Sequence, residues 1–277
     1  MSKIKEKPIF KLKDIMEEDI TNYKFGYPAS IFDINRIPEH TMPNQVKDEI
    51  PTMNKFGFMK FEFEEYNKSF INYASNISKP ALEIGSAYGW LAKKALEKDI
   101  NYIASDVSTD HLEILLKNAP KDKLNNLSIY PSEFPKEINF PQKSIGAVFV
   151  GRVLHFLTGE LIEKGLEKIH NWLDDDGKLF CTNCSIYHYT VKNEIISSYN
   201  KKFAEGVKWP GILHNLKEAA PMNADYVDNF LNVFDIPQLE ALLPNFGFKI
   251  EKISLFDFPN DTDSGGKGHI GFIARKI

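Results

Sequence analysis

Apolar and polar positions follow two rhythms along this chain. Short apolar runs recur at "ALEIG" from residue 81, "NYIASD" from 101, "LSIY" at 127–130 and "IGAVFV" at 145–150. Each is bounded by turn residues, as buried strands are. Between the runs the period lengthens to that of a helix. Residues 61–78 set Phe63, Tyr66, Phe70, Tyr73, Ala74 and Ile77 on one stripe, and Pro80 closes that helix. "AYGWLAKKALEK" is a second helix, and Ser108, Thr109 and Asp110 supply an N-cap for a third, "HLEILLKNA". "GELIEKGLEKIHNWL" turns Leu161, Ile162, Gly165, Leu166, Ile169 and Trp172 inward. "DDDG" at 174–177 reads as a turn before the strand "KLFCTNC".

The end of the chain breaks the alternation. Asp235 and Pro237 start a helix over "IPQLEALLPNF", and Gly247 ends it. "FKIEKISLFDF" and "HIGFIARK" flank a polar, glycine-rich loop and form a hairpin. The pattern predicts an α/β fold, a mostly parallel seven-stranded sheet that finishes in an antiparallel hairpin, with helices on both faces. Two aromatic-rich regions stand outside it. Residues 1–60 are an N-terminal extension or lid, and about 185–234 a cap segment inserted into a domain of 61–277.

Charge and composition narrow the function classes. The net charge of −4 over 277 residues, with no basic block, disfavours nucleic acid as partner. The charged N-terminus lacks the apolar core of a signal peptide. The longest apolar run, 144–157, is too short to span a bilayer and contains Arg152, so a cytoplasmic protein without a membrane partner is expected. The two cysteines, in "CTNC" at 181–184, have no second pair to complete a zinc site and read as reduced, packed side chains.

The chemistry concentrates in "LEIGSAYG", residues 82–89. A dinucleotide site asks for G-x-G-x-x-G at the first strand–helix turn. Here the turn is E-x-G-x-x-x-G, with Gly85 and Gly89 but Ala87 and Tyr88 between them. One glycine lets a ligand approach the backbone and the second lets the helix pack closely. Glu83 can attract a cationic amino group, and Asp106, ending the second strand, can accept two ribose hydroxyls. An NAD-dependent oxidoreductase is disfavoured by the glycine pattern.

With "ASDVS" (104–108), "AVFVGRVLHFL" (147–157), "GKLFCTN" (177–183) and the closing hairpin, the chain resembles the class I S-adenosylmethionine-dependent methyltransferases over residues 61–277, less the insertion. The resemblance implies a Rossmann-like fold and S-adenosyl-L-methionine as cofactor, with S-adenosyl-L-homocysteine as product. It places Glu83, Gly85, Ser86, Ala87 and Gly89 at the methionine end and Asp106 at the ribose. Val107 falls beside the adenine, Ser132, Glu133 and Phe134 near its amine, and Gly151 and Arg152 beside the sulfonium. His155 is the base candidate, and Tyr187 and His188 follow the fifth strand toward the acceptor. His214 and Trp209 in the insertion are further candidates for an acceptor pocket. Neither N-P-P-Y nor the acidic set of catechol-type enzymes follows strand four or five, so no catalytic metal is expected. The acceptor is read as a small molecule methylated on O or N. A protein acceptor and a non-catalytic cofactor-binding scaffold stand as alternatives.

Overall fold

The computed structural model describes residues 12, 23–45, 48–214, 216, 229–261 and 264–277. Most of the charged N-terminus, and residues 217–228 of the expected cap, lie outside the described residues.

Five strands run parallel at the centre: β4 (Ala81–Ile84), β5 (Tyr102–Asp106), β6 (Leu127–Pro131), β7 (Ile145–Gly151) and β8 (Leu173–Cys184). The closing hairpin, β11 (Phe248–Phe256) with β12 (His269–Lys276), joins antiparallel to β8 through β12. The sheet has eight strands, not seven. The eighth is β1 (Tyr27–Pro28), antiparallel to β6 at the opposite edge, giving the order β1-β6-β5-β4-β7-β8-β12-β11. Two residues show no alternation, so no periodicity announces β1. Its anchor is Tyr27, buried against Tyr23 and Phe32.

The helices cover both faces. α1 (Glu65–Ala74), α2 (Trp90–Leu96) and α3 (Thr109–Asn118) bury Phe70, Leu91 and Leu115 against Ala81, Ala104 and Phe149 of the sheet. α4 (Gly159–Trp172) and α6 (Ile236–Leu242) bury Ile162, Leu166 and Leu239 against Leu82, Val148 and Val150 on the other face. Burial thus alternates along β4, as the period of two requires. It puts Glu83 on the face of Ala81. α1 is shorter than the periodicity predicts. Glu64 caps it, its carboxylate accepting the N–H groups of Tyr66 and Asn67, so Phe61 to Phe63 stay outside the helix.

The "DDDG" stretch is not a turn before β8 but a bulge inside it. Leu173 pairs with Ile145 and Lys178 with Ala147, so four residues on one strand, 174–177, lie opposite one, Gly146, on the other. Cys181 and Cys184 are both free and buried, as the sequence predicts. Burial pushes each thiol up to about 12.

The two regions outside the alternation have different positions. Residues 27–28 extend the sheet, whereas the hairpin of β2 (Glu49–Pro51) and β3 (Phe58–Lys60) sits near the carboxyl ends of the parallel strands. The insertion builds a small core of its own. There Val191, Ile195 and Tyr199, beside or on α5 (Lys192–Ala204), pack with Leu231 of β10 (Leu231–Asn232), which pairs with β9 (Ile212–Leu213). Among the described residues, no helix is long and apolar enough to cross a membrane.

Candidate functional site

β4 is flanked by β5 on one side and β7 on the other, and the chain leaves these strands toward opposite faces. A crevice opens at such a reversal, outside the carboxyl ends of the strands. A cavity of about 410 Å³ lies there.

Its floor is the turn after β4. Gly85 has φ +80°, and a Cβ on it would lie 2.3 Å from Val153 Cγ2. Gly85 and Ser86 both donate backbone N–H to the Ser105 carbonyl, at 2.8 and 3.0 Å. Ala87 takes φ +44° and donates its N–H to Asp106 Oδ2 at 2.8 Å. That bond compensates a conformation that a side chain disfavours. Gly85→Ala should therefore cost about 1–3 kcal/mol of stability from backbone strain and overpacking. A thermal melt that leaves the midpoint unchanged would remove the steric role given to this glycine.

Asp106 anchors the β5 side. Its Oδ1 accepts the Ser108 N–H at 2.8 Å and lies 3.1 Å from His111 Nδ1. Glu83 faces the same cavity, fully buried, and accepts the Tyr102 hydroxyl at 2.9 Å. Burial, then the Asp106 carboxylate, push its acid up to about 8, against the Tyr102 bond, which lowers it.

Most predicted cofactor residues converge on this cavity. Glu83, Gly85, Ser86, Ala87, Asp106, Val107, Ser132, Glu133, Phe134, Gly151 and Arg152 line it. Gly89 is not among its lining residues. It stands at the N-cap of α2 with φ +80°, where a Cβ would lie 2.3 Å from Leu115 Cγ, so it sets the approach of α2 to α3. Glu133 is drawn sideways into a 2.6 Å ion pair with Lys136. Arg152 has φ +57° and is held by its own N–H, donated to the Thr182 carbonyl at 2.7 Å. Its guanidinium donates to the Phe58 carbonyl and lies 5.3 Å from the Phe258 ring centroid.

A second, smaller cavity of about 110 Å³ shares Phe56, Phe58, Arg152 and Phe156 with the first. His155 and His188 line it; Tyr187 lines neither cavity. The Tyr187 hydroxyl instead donates to Asp235 Oδ2 at 3.4 Å. His155 sits in a single 3₁₀ turn, Leu154–Phe156, with Nδ1 accepting the Cys184 N–H at 3.2 Å. Burial, Arg152 and His188 push it down to about 3. A neutral ring whose Nδ1 accepts carries its proton on Nε2, so His155 offers a donor rather than a base. Trp209 and His214 line neither cavity. Trp209 donates to Glu163 Oε1 at 3.0 Å, and His214 lies against Phe230.

Several lining residues gave no signal in the sequence. Asn54, Phe58 and Met59 reach the first cavity from the β2–β3 hairpin, far from the α/β alternation. Glu64 and Asn67 reach it from the cap of α1, and burial pushes Glu64 up to about 7 against those N–H bonds. His269 joins the second cavity from β12. Among the described residues, the one group of three metal-capable side chains with converging ligand atoms is His40, Asp110 and Glu113. None of the three lines either cavity.

The comparisons bear on the domain and the fold. A family model described as a methyltransferase domain matches residues 81–177, the segment from β4 into the bulge of β8. None of the curated proteins compared with the chain matches it significantly. Among solved structures, an S-adenosylmethionine-dependent methyltransferase from Mesorhizobium loti superposes with a TM-score of 0.58 at 12% identity, over 76% of this chain and 95% of its own. A putative S-adenosylmethionine-dependent methyltransferase from Listeria monocytogenes gives 0.55 at 13%, over 76% and 98%. Phosphoethanolamine N-methyltransferase 2 of Haemonchus contortus, in complex with S-adenosyl-L-methionine, gives 0.51 at 16%, over 76% and 51%. The matched segment, a methyltransferase domain over residues 81–177, contains the glycine turn and Asp106, and the chain shares its fold with S-adenosylmethionine-dependent methyltransferases.

Proposed function

We propose that the larger cavity holds S-adenosylmethionine and the smaller one the acceptor, a small molecule methylated on O or N without a catalytic metal. The observation that carries this reading is the junction of the two cavities at Arg152, Phe56, Phe58 and Phe156. When bound, the cofactor supplies a methyl carbon already activated by a sulfonium. The protein's part is then to align the acceptor and exclude water.

The residues fit that ligand. Gly85 keeps the turn bare, where a side chain would collide with Val153. Glu83 takes the cationic amino group, with Ser86 and Ala87 beside it. Asp106 takes the ribose hydroxyls, oriented by the N–H groups of Ala87 and Ser108 and by His111. Val107, Ser132, Glu133 and Phe134 surround the adenine, and Gly151 and Arg152 flank the reacting sulfur. Gly89 acts through the packing of α2. His155 and His188 touch the acceptor, and Tyr187 supports the loop that carries His188. The β2–β3 hairpin and the insertion act as a cover, which favours a small acceptor over a docked protein.

The test is transfer of labelled methyl from S-adenosylmethionine to a small-molecule panel and, in parallel, to a whole-proteome extract, followed by mass spectrometry. Labelled small products are expected, with protein unlabelled. His155→Phe should lower kcat at least about tenfold while the cofactor Kd stays put, as loss of an acceptor contact does. Labelled protein alone would replace this reading with that of a protein methyltransferase. Tight cofactor binding with no transfer to anything would favour a scaffold.

A further inference from the structure

The second cavity differs from the first in its charge inventory. The first is lined by carboxylates, among them Glu62, Glu64, Glu83 and Asp106. Among the described residues, none lines the second. Its polar lining is Arg152, His155, His188, His269, Cys184 and Thr190.

His155 is fixed as a donor by its hydrogen bond, and His188 is held by Thr190. His155 Nδ1 accepts the Cys184 N–H at 3.2 Å, and His188 Nδ1 accepts the Thr190 N–H at 3.4 Å and meets its hydroxyl at 2.7 Å. The neutral His155 ring therefore carries its proton on Nε2, while the Thr190 hydroxyl can serve His188 Nδ1 as donor or acceptor. His269 adds a buried Nδ1 without a hydrogen-bond partner. Arg152 supplies a permanent positive charge. A concave surface with a guanidinium and the His155 N–H donor, and no carboxylate among its described lining residues, is complementary to an anion.

Resting on the reading above, we infer that the second cavity binds its acceptor as an oxyanion, a carboxylate or phenolate on an aromatic or apolar body. The body would lie against Phe56, Phe58 and Phe156, which line the same cavity. A lone pair of the acceptor oxygen forms the new O–C bond to the methyl carbon as the C–S bond breaks. The C–S electron pair stays on sulfur, leaving the neutral thioether of S-adenosylhomocysteine. The product is a neutral ester or aryl ether, and no proton has to be removed. That removes the need for a base, which His155 is not set up to provide. It also explains release, because the product has lost the charge that the cavity holds.

The experiment is calorimetric titration of the full chain. S-adenosylhomocysteine is titrated first, and the saturated protein then receives benzoate, phenylacetate or 4-nitrophenolate. Benzamide, methyl benzoate and benzylamine are titrated against the same complex. At least one oxyanion is expected to bind ten times or more tightly than the neutral and amine analogues of its shape. His188→Leu should weaken that anion about tenfold and leave the S-adenosylhomocysteine affinity unchanged, whereas His188→Gln, which keeps a donor, should retain most of it. If homocysteine-cofactor binding is intact but the amine or neutral analogues bind as well as the anions, or no anion binds, the inference is wrong and the methyltransferase reading stands. If S-adenosylhomocysteine itself fails to bind, the assignment of the larger cavity falls, and the inference with it. The wild-type titrations need no variant to fold.

Discussion

Asp106→Ala should weaken S-adenosylmethionine by about 100-fold or more, the largest single loss expected in this site. The carboxylate does two jobs at once. Its proposed contact with the ribose hydroxyls is a charge-assisted hydrogen bond, stronger than a neutral one. It also holds the floor of the cavity. Oδ2 takes the Ala87 N–H at 2.8 Å, while Oδ1 takes the Ser108 N–H at 2.8 Å and meets His111 Nδ1 at 3.1 Å. Alanine leaves those donors in a buried setting without an acceptor, and each orphaned group costs about 1–3 kcal/mol. The positive φ of Ala87 loses its hydrogen bond in the same stroke. Asp106→Asn keeps one carbonyl oxygen and should lose only about tenfold. Calorimetry on both variants, with circular dichroism to follow the fold, checks the ordering. Equal Kd values for wild type and Asp106→Ala would exclude Asp106 from the ligand site.

The sequence carried Asp106 and most of the floor because those residues sit at fixed offsets from strand ends. A strand that ends on Asp106, and a turn that must contain Gly85, are local facts, and local facts survive folding. The same holds for the N-cap at Ser108 and the αL end at Gly247. What was hidden depends on contacts between distant segments. β1 is two residues long and owes its place to the ring of Tyr27 at a sheet edge. The β2–β3 hairpin carries Asn54 and Phe58 into a cavity built by strands that follow it in the chain. Gly89 was grouped with Gly85 by spacing, yet its neighbour is Leu115 of a later helix. Tyr187 and His188 are adjacent, and one loop sends one to Asp235 and the other to the second cavity. "DDDG" has turn composition, but the strand pairing resumes beyond it, so it bulges instead. For His155, the type of residue was legible and its protonation was not. Only the Cys184 N–H, 29 positions away, fixes which nitrogen carries the proton.

Burial of Glu83 leads to a second large effect, on the pH dependence of cofactor binding. In the free protein its acid is pushed up to about 8, so at neutral pH it is mainly protonated. The groups acting on it are the Tyr102 hydroxyl, which lowers it, and Asp106, which raises it. The proposed partner, the ammonium of the bound cofactor, favours the carboxylate and pulls the acid back down. Binding then expels a proton from Glu83. The sign follows from linkage: ligand affinity rises with pH while the free protein holds the proton and the complex does not. Between about pH 5.5 and 7.5, below the ordinary α-amino range of the cofactor, the Kd should fall by up to about tenfold per unit. Near pH 7, calorimetry in buffers of different ionisation enthalpy should show a substantial part of one proton released per cofactor bound. Glu64 lines the same cavity and titrates in this window at about 7, so the wild-type slope alone does not identify the group. Glu83→Gln does. The amide keeps an oxygen for the Tyr102 hydroxyl, so the strand should remain intact, but it has no proton to release. Its affinity at pH 7.5 should be lower than wild type, and the Glu83 share of the slope and of the released proton should vanish. A variant that keeps the full slope would move the titration to Glu64. The amino group would then lie nearer the cap of α1 than the end of β4.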